Sequence, residues 1–236
     1  MIYFDHNATT PLDPSVLEAM MPFLSGSYGN PSSQHAIGQE ARRAVERSRR
    51  KIADLVGADP RSIIFTGSGT EANNLALRGS LTSGAFKGKH LIVGALEHPS
   101  VLAPAEALRR EGYEVSIAPV TSDGEVRAED IEPLLRPDTA LISVMHAQNE
   151  VGTINQVHEI CELIGYRRIL VHCDAAQSVG KIPTSFPLMG TNLMTMVAHK
   201  FHGPKGIGAA PTGVSATRGS ASPTGSLRLR PRERSR

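Results

Sequence analysis

Short apolar runs rich in Val, Ile and Leu recur along the chain, and stretches of helical spacing fill the gaps between them. Ser62–Thr66 (SIIFT), His90–Val93, Tyr113–Pro119, Thr139–Met145 and Ile169–Cys173 read as strands, each bounded by Gly, Pro or charged residues. Between them, Thr70–Leu81, Pro99–Glu111, Ala128–Leu135 and Gln156–Ile164 carry helical periodicity. Ahead of this series, Gln39–Gly57 (QEARRAVERSRRKIADLVG) places Ala, Val, Ile and Leu on one stripe of a helix, after the turn chemistry of Asn30-Pro31-Ser32-Ser33. The alternation predicts an α/β fold: a mostly parallel sheet with helices on both faces, which is a three-layer α/β/α arrangement. No internal repeat is present.

In a parallel sheet of this kind the carboxyl ends of the strands converge on one crevice, so polar residues just past a strand are candidates for chemistry. Lys200 is the first. It follows an apolar run in Met194–Gly208 (MTMVAHKFHGPKGIG) and precedes a Gly/Pro-rich turn. A lysine partly withdrawn from water there has a lowered pKa and a nucleophilic amine, as a Schiff-base lysine requires. Asp174 ends the run Ile169–Val171-His172-Cys173 and is expected to meet Lys200 across the width of an aromatic ring. Thr66-Gly67-Ser68-Gly69-Thr70-Glu71 is a strand, a Gly-rich turn and a helix start, the geometry of an anion site; it is neither a Walker A loop nor GxGxxG. Glu97-His98 and Asn149-Glu150-Val151-Gly152 follow strands in the same way. Any one of these has a plain structural reading: a surface lysine, a capped turn, a core histidine. Agreement among five strand ends favours a shared crevice. A metal is not expected, because His172, Cys173 and Asp174 alternate between opposite faces of their strand.

Charge changes the picture only at one end. Of the net charge of +2, residues 212–236 carry +5, from six arginines against Glu233, which leaves −3 on the rest. That pattern excludes a basic, nucleic-acid-binding body, and an arginine arm without aromatics implies no specific nucleic-acid partner. After Gly208 the composition turns to Gly, Ser, Thr, Pro and Arg, so the reading assigns a folded domain to residues 1–210 and a disordered tail to 211–236. No apolar stretch reaches membrane-spanning length, and the opening MIYFDHNATTP lacks the marks of a signal or transit peptide. With only Cys161 and Cys173, a reducing, cytoplasmic setting is expected.

As a set, these segments resemble the cysteine desulfurase and selenocysteine lyase family, in the class V branch of fold-type I pyridoxal-phosphate enzymes. The resemblance runs through Asp5-His6-Asn7-Ala8-Thr9-Thr10-Pro11, Gly29-Asn30-Pro31-Ser32-Ser33, Gly69-Thr70-Glu71-Ala72-Asn73-Asn74, Glu97-His98, Asn149-Glu150-Val151-Gly152, Asp174–Lys181 and His199-Lys200. It covers about the first 208 residues and implies roles for individual side chains. Lys200 would form the Schiff base with pyridoxal 5'-phosphate and then shuttle a proton. Asp174 would pair with the pyridine nitrogen, so that the ring acts as an electron sink. His98 would stack on the ring and assist proton transfer, Gln177 and Asn149 would bond the phenolic oxygen, and Gly69, Thr70 and His199 would hold the phosphate. The implied reaction takes L-cysteine or L-selenocysteine to L-alanine in a homodimer, with sulfur or selenium released or passed to an acceptor protein.

Three departures stand against that resemblance. Val197 replaces a serine hydroxyl that many desulfurases direct at the phosphate, and is nearer the lyase pattern. His202 replaces a more usual tyrosine. The family's small C-terminal domain, with its cysteine-bearing loop and carboxylate-binding arginine, is expected to be missing, and neither Cys161 nor Cys173 falls where the catalytic thiol belongs. The alternative reading is therefore a catalytically inactive homologue that keeps the fold as a binding or dimerisation partner.

Overall fold

The computed structural model describes residues 2–83 and 88–213. Its elements, in chain order, begin with helices α1 (Pro14–Ser25) and α2 (Ala36–Val56), followed by strand β1 (Ile63–Thr66) and helix α3 (Gly69–Thr82). Next come β2 (His90–Gly94), α4 (Pro99–Arg110), β3 (Glu114–Ala118), α5 (Ala128–Ile131) and β4 (Thr139–Met145). The series closes with α6 (Val157–Ile164), β5 (Leu170–Asp174), α7 (Phe186–Met189), β6 (Leu193–Val197) and β7 (Gly208–Pro211). The seven strands form one sheet in the order β1-β7-β6-β5-β4-β2-β3. Only β7 runs against its neighbours; the pairs β2–β3, β2–β4, β4–β5 and β5–β6 are parallel. The fold is the mostly parallel α/β sheet that the alternation of runs predicts.

Two apolar clusters sandwich this sheet, because strand side chains alternate between faces. Ile92, Ile142, Val144, Val171, Cys173, Met194 and Met196 pack with residues of α2, α5, α6 and α7. Leu91, Val93, Leu141 and Leu193 pack instead with Ala76, Leu77 and Leu81 of α3 and Val101, Ala105 and Leu108 of α4. All seven residues of β4 are buried, as a central strand covered on both sides requires. Each fully buried Leu or Ile contributes on the order of 2 kcal/mol, so this double core is what holds the strand ends in register.

The elements differ from expectation in three places. Helix α1, capped by Asp13 with Pro14 in its first turn, is not among the expected elements, and it has no buried residue. The helix expected over Ala128–Leu135 is a single α turn that passes into a 3₁₀ turn at Glu132–Leu134, where Pro133 lacks an N–H. Ala209–Pro211, expected in or beside the tail, complete β7: Ile63 pairs with Pro211 and Phe65 with Ala209. Thr212 also bridges Leu193. Burial between two strands, rather than side-chain propensity, makes this Gly-Ala-Ala-Pro segment extended. The rest of the expected tail, from residue 214 on, lies outside the described residues.

Candidate functional site

A cavity of about 970 Å³ opens at the carboxyl ends of the parallel strands. All eight residues singled out in the sequence line it: Gly69, Thr70, His98, Asn149, Asp174, Gln177, His199 and Lys200. The geometry that brings them together is the sheet itself. Asp174 ends β5 and pairs with Met145 on one side and Thr195 on the other. Lys200 follows β6 in a short 3₁₀ turn, and Gly69 opens α3 directly after β1.

Lys200 is half-buried, and desolvation lowers its amine below the ordinary lysine value, while Asp174, Asp5 and Glu150 oppose that shift. Its Nζ donates to the carbonyl oxygens of Asn7 at 2.5 Å and Ala8 at 3.0 Å. The segment before α1 therefore forms a wall of the site. That wall is fastened further by Thr10 Oγ1, which donates to the His199 carbonyl at 3.0 Å, and by His199 Nδ1 with Thr9 Oγ1 at 3.1 Å. Burial lowers the His199 pKa, with Lys200 and Lys205 adding to the effect. Gln177 Nε2 donates to the Asn7 carbonyl at 2.9 Å, and its Oε1 accepts from Lys181 Nζ at 2.6 Å. Asn149 Nδ2 donates to Glu150 Oε1 at 2.6 Å.

Asp174 is 6% exposed. Its Oδ2 accepts from Asn73 Nδ2 at 2.7 Å, and its Oδ1 accepts from the Ala176 N–H at 3.0 Å. One layer down on the same face, His172 is enclosed by Ser143 Oγ at 2.9 Å and Thr195 Oγ1 at 3.1 Å. Burial pushes its pKa down to about 4, against the opposing pull of Asp174. Cys173 points the other way into the core, where burial raises its thiol pKa; neither it nor Cys161 lines the cavity.

At the start of α3, Ser68 caps the helix, its Oγ accepting from the Glu71 N–H at 3.0 Å, and Glu71 Oε2 accepts from the Gly67 N–H at 2.6 Å. The N–H groups of Gly69 and Thr70 remain, and the helix itself cannot satisfy them. Gly69 is required by packing: a Cβ there would lie 2.3 Å from Val197 Cγ2. Val197 offers no hydroxyl to the turn and instead closes the space beside it. This donor set fits pyridoxal phosphate, with helix N–H groups for an anion at one end and a carboxylate and a lysine amine at the other.

Sequence reasoning gave no role to Asn73, Ser100 and Asn7. Asn73 stands four residues after Gly69, on the same helix face, and that spacing was the available signal. The contacts of Ser100 and Asn7 depend on tertiary approach and leave no local mark.

A family model described as aminotransferase class-V matches residues 2–220. The cysteine desulfurase IscS of Dictyoglomus turgidum is 47% identical over 208 residues, covering 88% of this chain and 53% of that protein. A mitochondrial cysteine desulfurase of Arthroderma benhamiae is 47% identical over 211 residues and is covered over 42% of its length. The chain thus spans about half the length of the curated relatives it matches. Among solved structures, a NifS-like protein superposes with a TM-score of 0.87 at 38% identity, covering 94% of this chain and 61% of that one. A structure titled SspA in complex with cysteine gives 0.87 at 36% identity, with coverages of 93% and 63%. Among the described residues no helix is long and apolar enough to cross a membrane. The chain belongs to the aminotransferase class-V family, a pyridoxal-phosphate-dependent family, and within it is similar to the cysteine desulfurases.

Proposed function

We propose that the cavity binds pyridoxal 5'-phosphate and serves a cysteine desulfurase or selenocysteine lyase, which converts L-cysteine or L-selenocysteine to L-alanine. The observation that carries this reading is a half-buried lysine amine and a buried carboxylate in one cavity, facing a helix N-terminus. When bound, the cofactor supplies an aldehyde for an amine and an electron-withdrawing ring. Gly69 and Thr70 hold its phosphate through their N–H groups, with His199 beside them. Asp174 holds the proton of the ring nitrogen, and Asn73 and Ala176 fix that carboxylate in place. Gln177 and Asn149 orient the ring oxygen. Lys200 Nζ is the covalent anchor and moves the proton at the substrate carbon; its lowered pKa keeps the amine closer to its neutral, reactive form.

Among the described residues neither a cysteine nor an arginine lines the cavity. The thiol that accepts sulfur is therefore neither Cys161 nor Cys173, and sulfur or selenium passes to another thiol or to an acceptor protein. The same observation supports a second reading, in which this chain takes up the cofactor without turning over. The family likeness supports a homodimer, and two buried cysteines suit a reducing, cytoplasmic setting. Titration with pyridoxal phosphate, followed by L-cysteine and assay of L-alanine, tests the proposal. A visible band with alanine formation supports it, a band without alanine supports the second reading, and no band from folded protein contradicts both.

A further inference from the structure

Between Asp174 and His98 runs a chain of hydrogen bonds whose direction is set at its two ends, by the carboxylate and by a backbone N–H on the imidazole. A carboxylate only accepts, so the Asn73 group 2.7 Å from Asp174 Oδ2 is the amide nitrogen. The second hydrogen of that nitrogen reaches Ser100 Oγ at 2.8 Å. Ser100 Oγ also lies 2.7 Å from His98 Nδ1, and because that nitrogen already accepts from a backbone N–H, the hydroxyl hydrogen points to it. The same Nδ1 caps α4 by accepting the Ser100 N–H at 3.1 Å. Two donors converge on Nδ1, so the proton of the neutral ring belongs on Nε2. Asn73 is 1% and Ser100 8% exposed, which keeps water from replacing either link. The Asn73 Oδ1 is buried without a partner, and the amide keeps this orientation because the flipped one would set that oxygen against the carboxylate.

We propose that Asn73 and Ser100 are positioning residues that hold His98 as its Nε2–H tautomer, so the ring offers the cavity a hydrogen-bond donor. His98 lines the cavity, and Nε2 takes no partner among the described residues. The use of that donor rests on the function proposed above; the tautomer rests only on the hydrogen-bond chain. His98 at rest then serves a bound ligand by donating from Nε2, and cannot accept a proton there.

The test is a two-bond ¹H–¹⁵N correlation spectrum of the full chain with labelled histidine, without cofactor, on the alkaline side of the ordinary histidine range. His98→Gln identifies the His98 signals. The wild type is expected to show a protonated Nε2 and a bare Nδ1. Ser100→Ala and Asn73→Ala are each expected to move the Nδ1 shift toward the protonated position, as a measurable fraction of the other tautomer appears. A wild-type ring protonated on Nδ1 overturns the proposal, and so does a pattern unchanged in both variants. If either variant fails to fold, the wild-type spectrum still decides. A chain that shows the Nε2–H pattern but takes up no pyridoxal phosphate overturns the proposed function and leaves the network standing.

Discussion

Asp174 ends β5, and Glu97 follows β2, on the far side of β4. Both carboxyl groups are buried, Asp174 6% exposed and Glu97 5%, and of the two only Asp174 lines the cavity. Their surroundings differ. Asp174 receives a donor on each oxygen, from Asn73 and from Ala176, and exerts its charge on Lys200 and His172. Glu97 receives one donor, the Met145 N–H at 2.7 Å on Oε1, while Oε2 has no partner. Burial pushes the Glu97 pKa well above the ordinary carboxylate value, and the nearby Asp174 adds to that push. A buried acid becomes a working carboxylate only where donors compensate its desolvation; otherwise it keeps its proton and acts as a neutral brace. Two acids at the ends of the strands that flank β4 thus sit in different surroundings.

The largest expected effect on cofactor binding tests that contrast at Asp174. Asp174→Asn removes the charge and sets an amide against Asn73, so affinity for pyridoxal phosphate should fall by about tenfold to a hundredfold, the scale of a lost charge-assisted hydrogen bond. Absorbance titration measures this, and wild-type affinity would remove Asp174 from the ring site. The second prediction concerns His172, whose folded pKa is depressed from 6.5 to about 4. Its contribution to stability is full above pH 6.5 and is lost as pH falls through the folded value, a change of about 3 kcal/mol by linkage. Denaturant unfolding at neutral and acid pH should show a steeper loss in the wild type than in His172→Gln; parallel slopes would contradict the assignment.

At the anion end, Gly69→Ala should cost about 1–3 kcal/mol through overpacking against Val197, and Val197→Ala should restore part of it. Additive losses in the double variant would show that the two do not press on each other. The smallest effect belongs to Glu97→Gln. The raised Glu97 pKa favours the fold below the ordinary value of 4.5, and that advantage is lost as pH rises through the folded value. The glutamine variant should therefore match wild-type cofactor affinity and gain stability relative to it as pH rises. A loss of affinity on the scale of Asp174→Asn would erase the contrast.

Much of this site was legible because a parallel sheet gathers strand ends, and strands with apolar runs as clear as Thr139–Met145 show where they end. The contrast between Asp174 and Glu97 was not, since it depends on which donors arrive from α3 and from the end of β4. Asn73 stood in a recognised motif, yet its partners come from two other elements. Helix α1 (PSVLEAMMPFLS) escaped notice for another reason: it contains Pro22, although Leu17, Met21 and Leu24 stand at helical spacing, and the structure leaves them exposed. Strand β7 lacks β-branched residues, and its composition merges with that of the residues after it. Its partners β1 and β6 define it.

Three lysines lie at or near the cavity. Lys200 and Lys205 line it, and Lys181 contacts Gln177. Burial lowers the pKa of Lys181 as well as that of Lys200, so a depressed amine alone does not identify the anchor. The deciding measurement is borohydride reduction of the chain with pyridoxal phosphate, followed by mass-spectrometric mapping of the modified peptide. A single modification at Lys200, absent from Lys200→Ala, is the predicted result. Modification at Lys181 or Lys205 with Lys200 untouched would contradict the account.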